Sequence, residues 1–237
     1  MKNIAIILAA GQGKRMNSTT KKQFLLIKEK TVLQYSVEAF VRSDIISEII
    51  IVTSADEMEE LRREYCNGVI SKQCYVVEGG KERYHSVYQA LKSIDECDYV
   101  FIHDAARPFI TDDILMRSYE AVLKYRACVT GVPSKDTVKI ASVDGYVEKT
   151  PERNKVWMIQ TPQVFSYNLI RQAYDSLISQ EEELSQLGIT ITDDAMVAER
   201  FTDVPVKLVE GDYHNIKITT PEDIELAEVF CRSIYGN

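Results

Sequence analysis

Short β-branched runs alternate with helix-period patterns through most of the chain, and that alternation points to an α/β fold with a mostly parallel sheet. Residues 4–8, 48–53, 74–78, 99–103, 127–132 and 204–209 read as strands. Between the first two, Val32, Leu33, Ser36, Val37, Phe40 and Val41 fall on one helix face, and Val87, Ala90, Leu91 and Ile94 do the same after the Gly79-Gly80 turn. Open sheets of this kind bind ligands beyond the carboxyl ends of their strands. The loop after Leu8, the Gly79-Gly80 turn and Asp104 each follow a strand, so they are expected to meet at one cleft.

The chain's 237 residues suffice for one large domain with a full core. Lys and Arg number 28 against 36 Asp and Glu, a formal charge of −8, which lacks the basic stripe that nucleic-acid backbones require. A small polyanion is still admissible, because local cations rather than net charge build such a pocket. The five cysteines, Cys66, Cys74, Cys97, Cys128 and Cys231, include no Cys-x-x-Cys pair. They suggest neither a zinc site nor a disulfide framework, and they suit a reducing cytoplasm. Met1-Lys2-Asn3 before an apolar run mimics the start of a signal peptide, but Gly11, Lys14 and Arg15 cut the run short, and a buried first strand is the better reading. No stretch approaches the roughly 18 apolar residues of a membrane span.

Leu8-Ala9-Ala10-Gly11-Gln12-Gly13-Lys14-Arg15-Met16 is a run of small residues between a strand and a helical pattern, with cations just beyond. Such a loop lets backbone N–H groups approach phosphate oxygens while the cations neutralise them. The dinucleotide fingerprint is excluded because Met16 stands where a third small residue is needed, and the second strand ends too late to supply its acidic residue. A Walker A loop is excluded because Gly13-Lys14 follows Gly11 too soon and is trailed by Arg15. Taken alone, the loop could equally be a tight turn whose glycines serve only backbone geometry.

The segment from Ser134 to Arg153 breaks the alternation. Val138-Lys139-Ile140 and Tyr146-Val147-Glu148 flank Ser142-Val143-Asp144-Gly145, which reads as a β-hairpin turning around Asp144-Gly145. A lone two-stranded hairpin is marginal in water and needs something to pack against. That support could come from its own domain or from a neighbouring subunit.

The first loop, with Lys21-Lys22-Gln23-Phe24 downstream, resembles the nucleotide-binding signature of the nucleotidyltransferases that activate sugar and polyol phosphates. His103-Asp104-Ala105-Ala106-Arg107-Pro108-Phe109 narrows the resemblance to the cytidylyltransferases of isoprenoid synthesis. Glu78-Gly79-Gly80-x-x-Arg83-x-x-Ser86, Thr161-Pro162-Gln163, Ile191-Thr192-Asp193 and Asn215-Ile216-Lys217-Ile218-Thr219 fit the same pattern in the same order. From about Ile4 to Glu228 the chain is similar to the 2-C-methyl-D-erythritol 4-phosphate cytidylyltransferase family of the non-mevalonate pathway. A sister family acting on ribitol 5-phosphate resembles it too, but tends to carry Gly-Gly and Ser-Val where Ala9-Ala10-Gly11 and Asp104-Ala105-Ala106-Arg107 differ. A nucleotide-binding protein without turnover is a further alternative, against which the presence of both Arg15 and Lys22 speaks.

The resemblance implies a single Rossmann-like, three-layer α/β domain over residues 1–237 and a homodimer whose β-arm, at about 134–155, reaches into the neighbouring subunit. It implies CTP and a polyol phosphate as substrates, with magnesium carried mainly on the CTP phosphates and no protein metal ligands. Arg15 and Lys22 match the cations that stabilise the transition state. Arg153 and Lys217 match groups that hold the acceptor's phosphate, Arg153 acting across the dimer. Ala9, Ala10, Gly11, Gly80, Ser86, Asp104 and Ala105 fall on the nucleotide side. Asp104, Arg107, Thr137, Thr161, Thr192 and Thr219 fall on the acceptor side.

Elementary chemistry agrees with such a set. A phosphate monoester has a second pKa of about 6, so the nucleophile is already mostly dianionic at neutral pH and needs no side-chain base. Two anions must meet, and preorganised cations with a metal ion relieve their repulsion. Strand alternation in His214-Asn215-Ile216-Lys217-Ile218-Thr219 would set Lys217 opposite Ile216 and Ile218, free to face a cleft. Lys14 and Lys21 read as solvated loop cations, and His85, His103 and His214 take no chemical role; His103 is expected to be a hydrogen-bonded structural residue.

Overall fold

In the computed structural model the described residues are 1–11 and 20–235. The chain runs through β1 (Asn3–Leu8), a ribbon of β2 (Leu26–Ile27) and β3 (Lys30–Thr31), α1 (Val32–Arg42), β4 (Glu48–Thr53), α2 (Met58–Tyr65), β5 (Gln73–Glu78), α3 (Arg83–Lys92), β6 (Tyr99–Asp104), α4 (Asp112–Tyr125) and β7 (Ala127–Pro133). A hairpin of β8 (Ile140–Ala141) and β9 (Val147–Lys149) follows. Then come β10 (Trp157–Ser166), α5 (Tyr167–Ser179), α6 (Glu181–Gln186), α7 (Asp194–Phe201), β11 (Lys207–Glu210) and α8 (Pro221–Tyr235). A seven-stranded sheet has the order β11-β7-β10-β6-β1-β4-β5. Every neighbouring pair in it is parallel except the two that β10 makes, with β6 and β7.

The pleat sorts each strand's side chains into two cores. Ala5 and Ile7 of β1 pack with Ile49 and Ile51 of β4 beneath α1, α2 and α4, while Ile4, Ile6, Ile50 and Val52 face α3, α5 and α7. Burial on both faces is why these strands read as continuous apolar runs. A third cluster, Ile27, Val32, Tyr35, Phe109, Ile218, Ala227 and Cys231, seats α8 against the ribbon. The five cysteines are buried and free. Among the described residues no helix is long and apolar enough to cross a membrane.

One expectation changes. The segment 214–219 is not a strand: the amides of Asn215 and Ile216 close turns onto Asp212 O and His214 O, while Ile218 N reaches across to Ala106 O at 2.8 Å. Ile218 is still fully buried and Lys217 still faces the site, through that crossing rather than through a pleat. Of the two supports left open for the hairpin, its own domain does not supply one, since Val143, Tyr146 and Val147 are exposed. Its turn is closed by Gly145 N to Ser142 O at 3.0 Å, with Gly145 at φ +83°, a conformation that suits glycine.

Candidate active site

A cavity of about 670 Å³ opens where β1, β5 and β6 end. Leu8, Ala10 and Gly11 form one side of it, Gly80 to Arg83 and Ser86 the next, and Asp104, Ala106, Lys217, Lys22 and Gln23 close it. These are the carboxyl ends of parallel strands, where the fold leaves backbone groups unpaired.

The β1 loop is held by its neighbours. Ala9 N donates to Val52 O at 2.7 Å, and the buried Gln23 donates its side-chain amide to Ala9 O at 2.5 Å. Gly79 lies so close that a Cβ there would come within 2.7 Å of Ala10 Cβ and 2.9 Å of Ser86 Oγ. Ser86 Oγ accepts from Gly80 N at 3.1 Å, and Glu82 and His85 form a capping box at the start of α3. The turn and the first loop therefore brace each other across the cavity floor.

Asp104 ends β6 between two cations. Lys217 Nζ lies 2.6 Å from Oδ2 and Arg83 Nε donates to Oδ1 at 3.1 Å. Burial by itself would raise the Asp104 pKa, but Arg83 and Lys217 outweigh it and hold the carboxyl well below its usual range. Arg83 also grips Asp194, with Nη1 and Nη2 donating at 2.9 and 2.8 Å. Behind Asp104, His103 is fully buried, and burial lowers its pKa to about 4, so the ring is neutral. Its Nε2 faces Arg107 O at 3.1 Å, a carbonyl that can only accept, so Nε2 carries the proton and Nδ1 accepts from Thr161 Oγ1 at 3.0 Å. Thr161 Oγ1 in turn accepts from Asp104 N.

The cavity thus gathers Ala10, Gly11, Lys22, Gly80, Ser86, Asp104 and Lys217 of the expected set. Arg15 lies outside the described residues. Ala9 and Ala105 are buried in the core, and it is Ala106 that lines the cavity beside Asp104. Thr161 supports Asp104 from behind, and Arg107 donates to the carbonyls of Asn215 and Ile159 at 2.8 and 3.3 Å, bracing two segments. Thr219 donates from both its amide and its hydroxyl to Asp223 at the start of α8. Thr192, Thr137 and Arg153 are exposed and form no part of this chain's own cavity wall. Lys21 is not a solvated cation: it pairs with Glu57 at 2.7 Å and Asp56 at 3.5 Å, just beyond the end of β4.

Gln23, Lys81, Arg83 and Asp194 were not anticipated as site residues. Gln23 and Arg83 stand inside motifs the sequence displays, without anything local to say what they bind. Among the described residues no group of three or more His, Cys, Asp or Glu converges as a metal cage.

Comparison with known proteins bears on this geometry. Residues 3–233 match the family model described as IspD: 2-C-methyl-D-erythritol 4-phosphate cytidylyltransferase. The chain is 48% identical over 229 residues to the 2-C-methyl-D-erythritol 4-phosphate cytidylyltransferase of Lachnoclostridium phytofermentans, covering 96% of this chain and 95% of that one. It is similar in structure to the 4-diphosphocytidyl-2C-methyl-D-erythritol synthase of Anaerococcus prevotii, with a TM-score of 0.83, 34% identity and coverage of 98% and 96%. The Francisella tularensis 2-C-methyl-D-erythritol 4-phosphate cytidylyltransferase gives a TM-score of 0.76 at 30% identity, covering 97% of this chain and 99% of that one. With fold, motifs and family model in agreement, the chain belongs to the 2-C-methyl-D-erythritol 4-phosphate cytidylyltransferase family.

Proposed function

We infer that the chain transfers CMP from CTP to 2-C-methyl-D-erythritol 4-phosphate, forming 4-CDP-2-C-methyl-D-erythritol and pyrophosphate for isoprenoid precursor synthesis. The observation that carries this reading, beside family membership, is the cavity at the ends of β1, β5 and β6, lined by Lys22 and by Asp104 held between Lys217 and Arg83. An oxygen of the acceptor's phosphate attacks the α-phosphorus of CTP, the bond from that phosphorus to the bridging oxygen breaks, and pyrophosphate takes the electron pair. Lys22 and Arg15 stabilise the charge that grows on the oxygens around the α-phosphorus. Lys217 holds the acceptor's phosphate, Asp104 accepts from one of its hydroxyls, and Ala10, Gly11, Gly80 and Ser86 receive the base. Magnesium enters as the counter-ion of CTP, part of the substrate, held by triphosphate oxygens as is usual for this ion.

The exposed apolar arm gives the dimer its rationale. Val143, Tyr146 and Val147 are covered when the arm docks on a second copy, and Arg153 at its root then joins Lys217 on the acceptor's phosphate in the partner's cavity. Thr137 travels with it. The enzyme works in a reducing cytoplasm, which its buried free thiols suit.

A pyrophosphate-release assay over a panel of polyol phosphates and all four nucleotides tests this. Release with CTP and methylerythritol phosphate is expected. Turnover with ribitol 5-phosphate instead would move the acceptor assignment, and CTP affinity without turnover of any acceptor would reduce the chain to a nucleotide binder.

A further inference from the structure

Arg83 begins α3 and its guanidinium spans two carboxylates, Asp194 through Nη1 and Nη2 and Asp104 through Nε. Asp194, the first residue of α7, has no exposed surface and also accepts the Tyr174 hydroxyl at 2.5 Å. An exposed ion pair would contribute little, but here the Asp194 carboxylate is fully buried, and removing Arg83 leaves it without its cation. The grip from Asp194 sets the plane of the guanidinium, and with it the direction in which Nε points.

Charge counting shows what this grip is for. Arg83 and Asp194 cancel, so Lys217 is the hydrogen-bonded cation left to balance Asp104, with Arg107 adding charge without a hydrogen bond. Acceptor binding, on the reading above, draws Lys217 away to a phosphate. Arg107 makes no hydrogen bond to Asp104, since its Nη1 and Nη2 donate to the Asn215 and Ile159 carbonyls and its Nε is buried without a partner, and His103 is turned toward Thr161 and Arg107. Arg83 alone stays on Asp104 throughout.

We propose that Arg83, clamped by Asp194, is a positioning residue that keeps the Asp104 carboxylate in one orientation when Lys217 leaves it, so that Oδ2 can accept a hydroxyl of the acceptor. The inference rests on the cytidylyltransferase reading, which is what supplies Lys217 with its second partner. Asp194 acts at one remove, by aiming the guanidinium.

The double variant Arg83→Gln/Asp194→Asn removes both charges without stranding either. Tyr174→Phe loosens the same cluster but leaves Arg83 on Asp104. Steady-state kinetics with CTP, magnesium and methylerythritol phosphate are measured beside melting temperatures. In the double variant the acceptor KM rises on the order of tenfold, as loss of one charge-assisted hydrogen bond to substrate implies, while KM for CTP stays within about twofold. Tyr174→Phe lowers the melting temperature and moves neither KM. Arg83→Lys, which keeps the charge but not the fork, falls between wild type and double variant. An unaltered acceptor KM, a rise shared equally by CTP, or the same rise in Tyr174→Phe overturns the proposal. Should the double variant not fold, an unaltered acceptor KM in Arg83→Lys overturns it as well. A wild type that releases no pyrophosphate sinks the functional reading and this inference together, whereas an active wild type with an indifferent double variant sinks the inference alone.

Discussion

His103 shows how a single buried side chain couples this site to pH. Its ring is wedged between β6 and Phe40, 5.1 Å between ring centroids, and both nitrogens are engaged, so the protein has no room for the imidazolium's hydration. Burial brings its pKa from 6.5 in the free state to about 4. Between those values the unfolded chain binds a proton that the folded chain refuses, so stability is full above about pH 6.5 and declines as pH falls to about 4. The whole cost is about 3 kcal/mol, at roughly 1.4 kcal/mol per pKa unit. Asp104 acts in a separate, lower window: its carboxyl is held well below 3.8, so its stabilising effect is complete above that value and is lost as pH falls further. His103→Gln, whose amide can still donate to Arg107 O, should therefore flatten the fall in urea midpoint between about pH 6.5 and about pH 4 while leaving the acid collapse below it. A variant that declines as steeply as wild type over that window would show that the ring is protonated in the folded protein.

At the scale of elements, the cavity floor is two loops pressed together, and Gly79 is the point of contact. A methyl group there collides with Ala10 Cβ and Ser86 Oγ, so Gly79→Ala must displace the β1 loop or the start of α3. The expected result is a loss of about 1–3 kcal/mol in stability from overpacking together with a higher KM for CTP. Gly145→Ala strains the arm's turn at φ +83° but touches neither loop, so it should cost stability without moving the CTP KM. Equal KM changes in the two variants would refute the bracing of these loops. The elements that hold the floor were legible in the chain because their evidence is local: the strand at 48–53 was read with the bounds it has, and the α1 and α3 faces follow from helical spacing. The interior strand β10 has no such local signal. Gln160, Thr161 and Gln163 are buried there but polar, Pro162 interrupts them, and the register shifts between Ile159 and Gln163, so no apolar period survives. Those polar residues are the price of the site: Thr161 supports Asp104 and His103, and Gln163 ties β10 to Asp193 and Ala195 at the start of α7. Asp194 was silent for another reason, since the arginine that explains it lies 111 residues away. Local consistency fails at functional sites because there the side chains answer to each other rather than to the strand they sit on.

The whole molecule poses the question of whether one chain holds a complete site. Lys22 and Lys217 line this chain's own cavity, whereas Arg153 is exposed at the root of an arm that stands off the domain. On the proposed reading Lys22 stabilises the transition state and Arg153 reaches the partner's acceptor, so the two defects belong to different chains of the same site. Lys22→Ala should lower turnover far more than it changes the acceptor KM, and Arg153→Ala should chiefly raise that KM. Mixing equal amounts of the two homodimers and allowing exchange makes half of the dimers mixed, and each mixed dimer then holds one site with both cations intact and one with neither. Activity measured at low acceptor concentration should accordingly recover to about one quarter of wild type, carried by sites with the wild-type KM. If Arg153 instead served its own chain, every site in the mixture would keep one defect, and mixing would restore nothing. Recovery that vanishes when Tyr146→Glu and Val147→Glu are placed in the arm, with the molecules reduced to monomers in sedimentation, would tie the shared site to the docking of that hairpin.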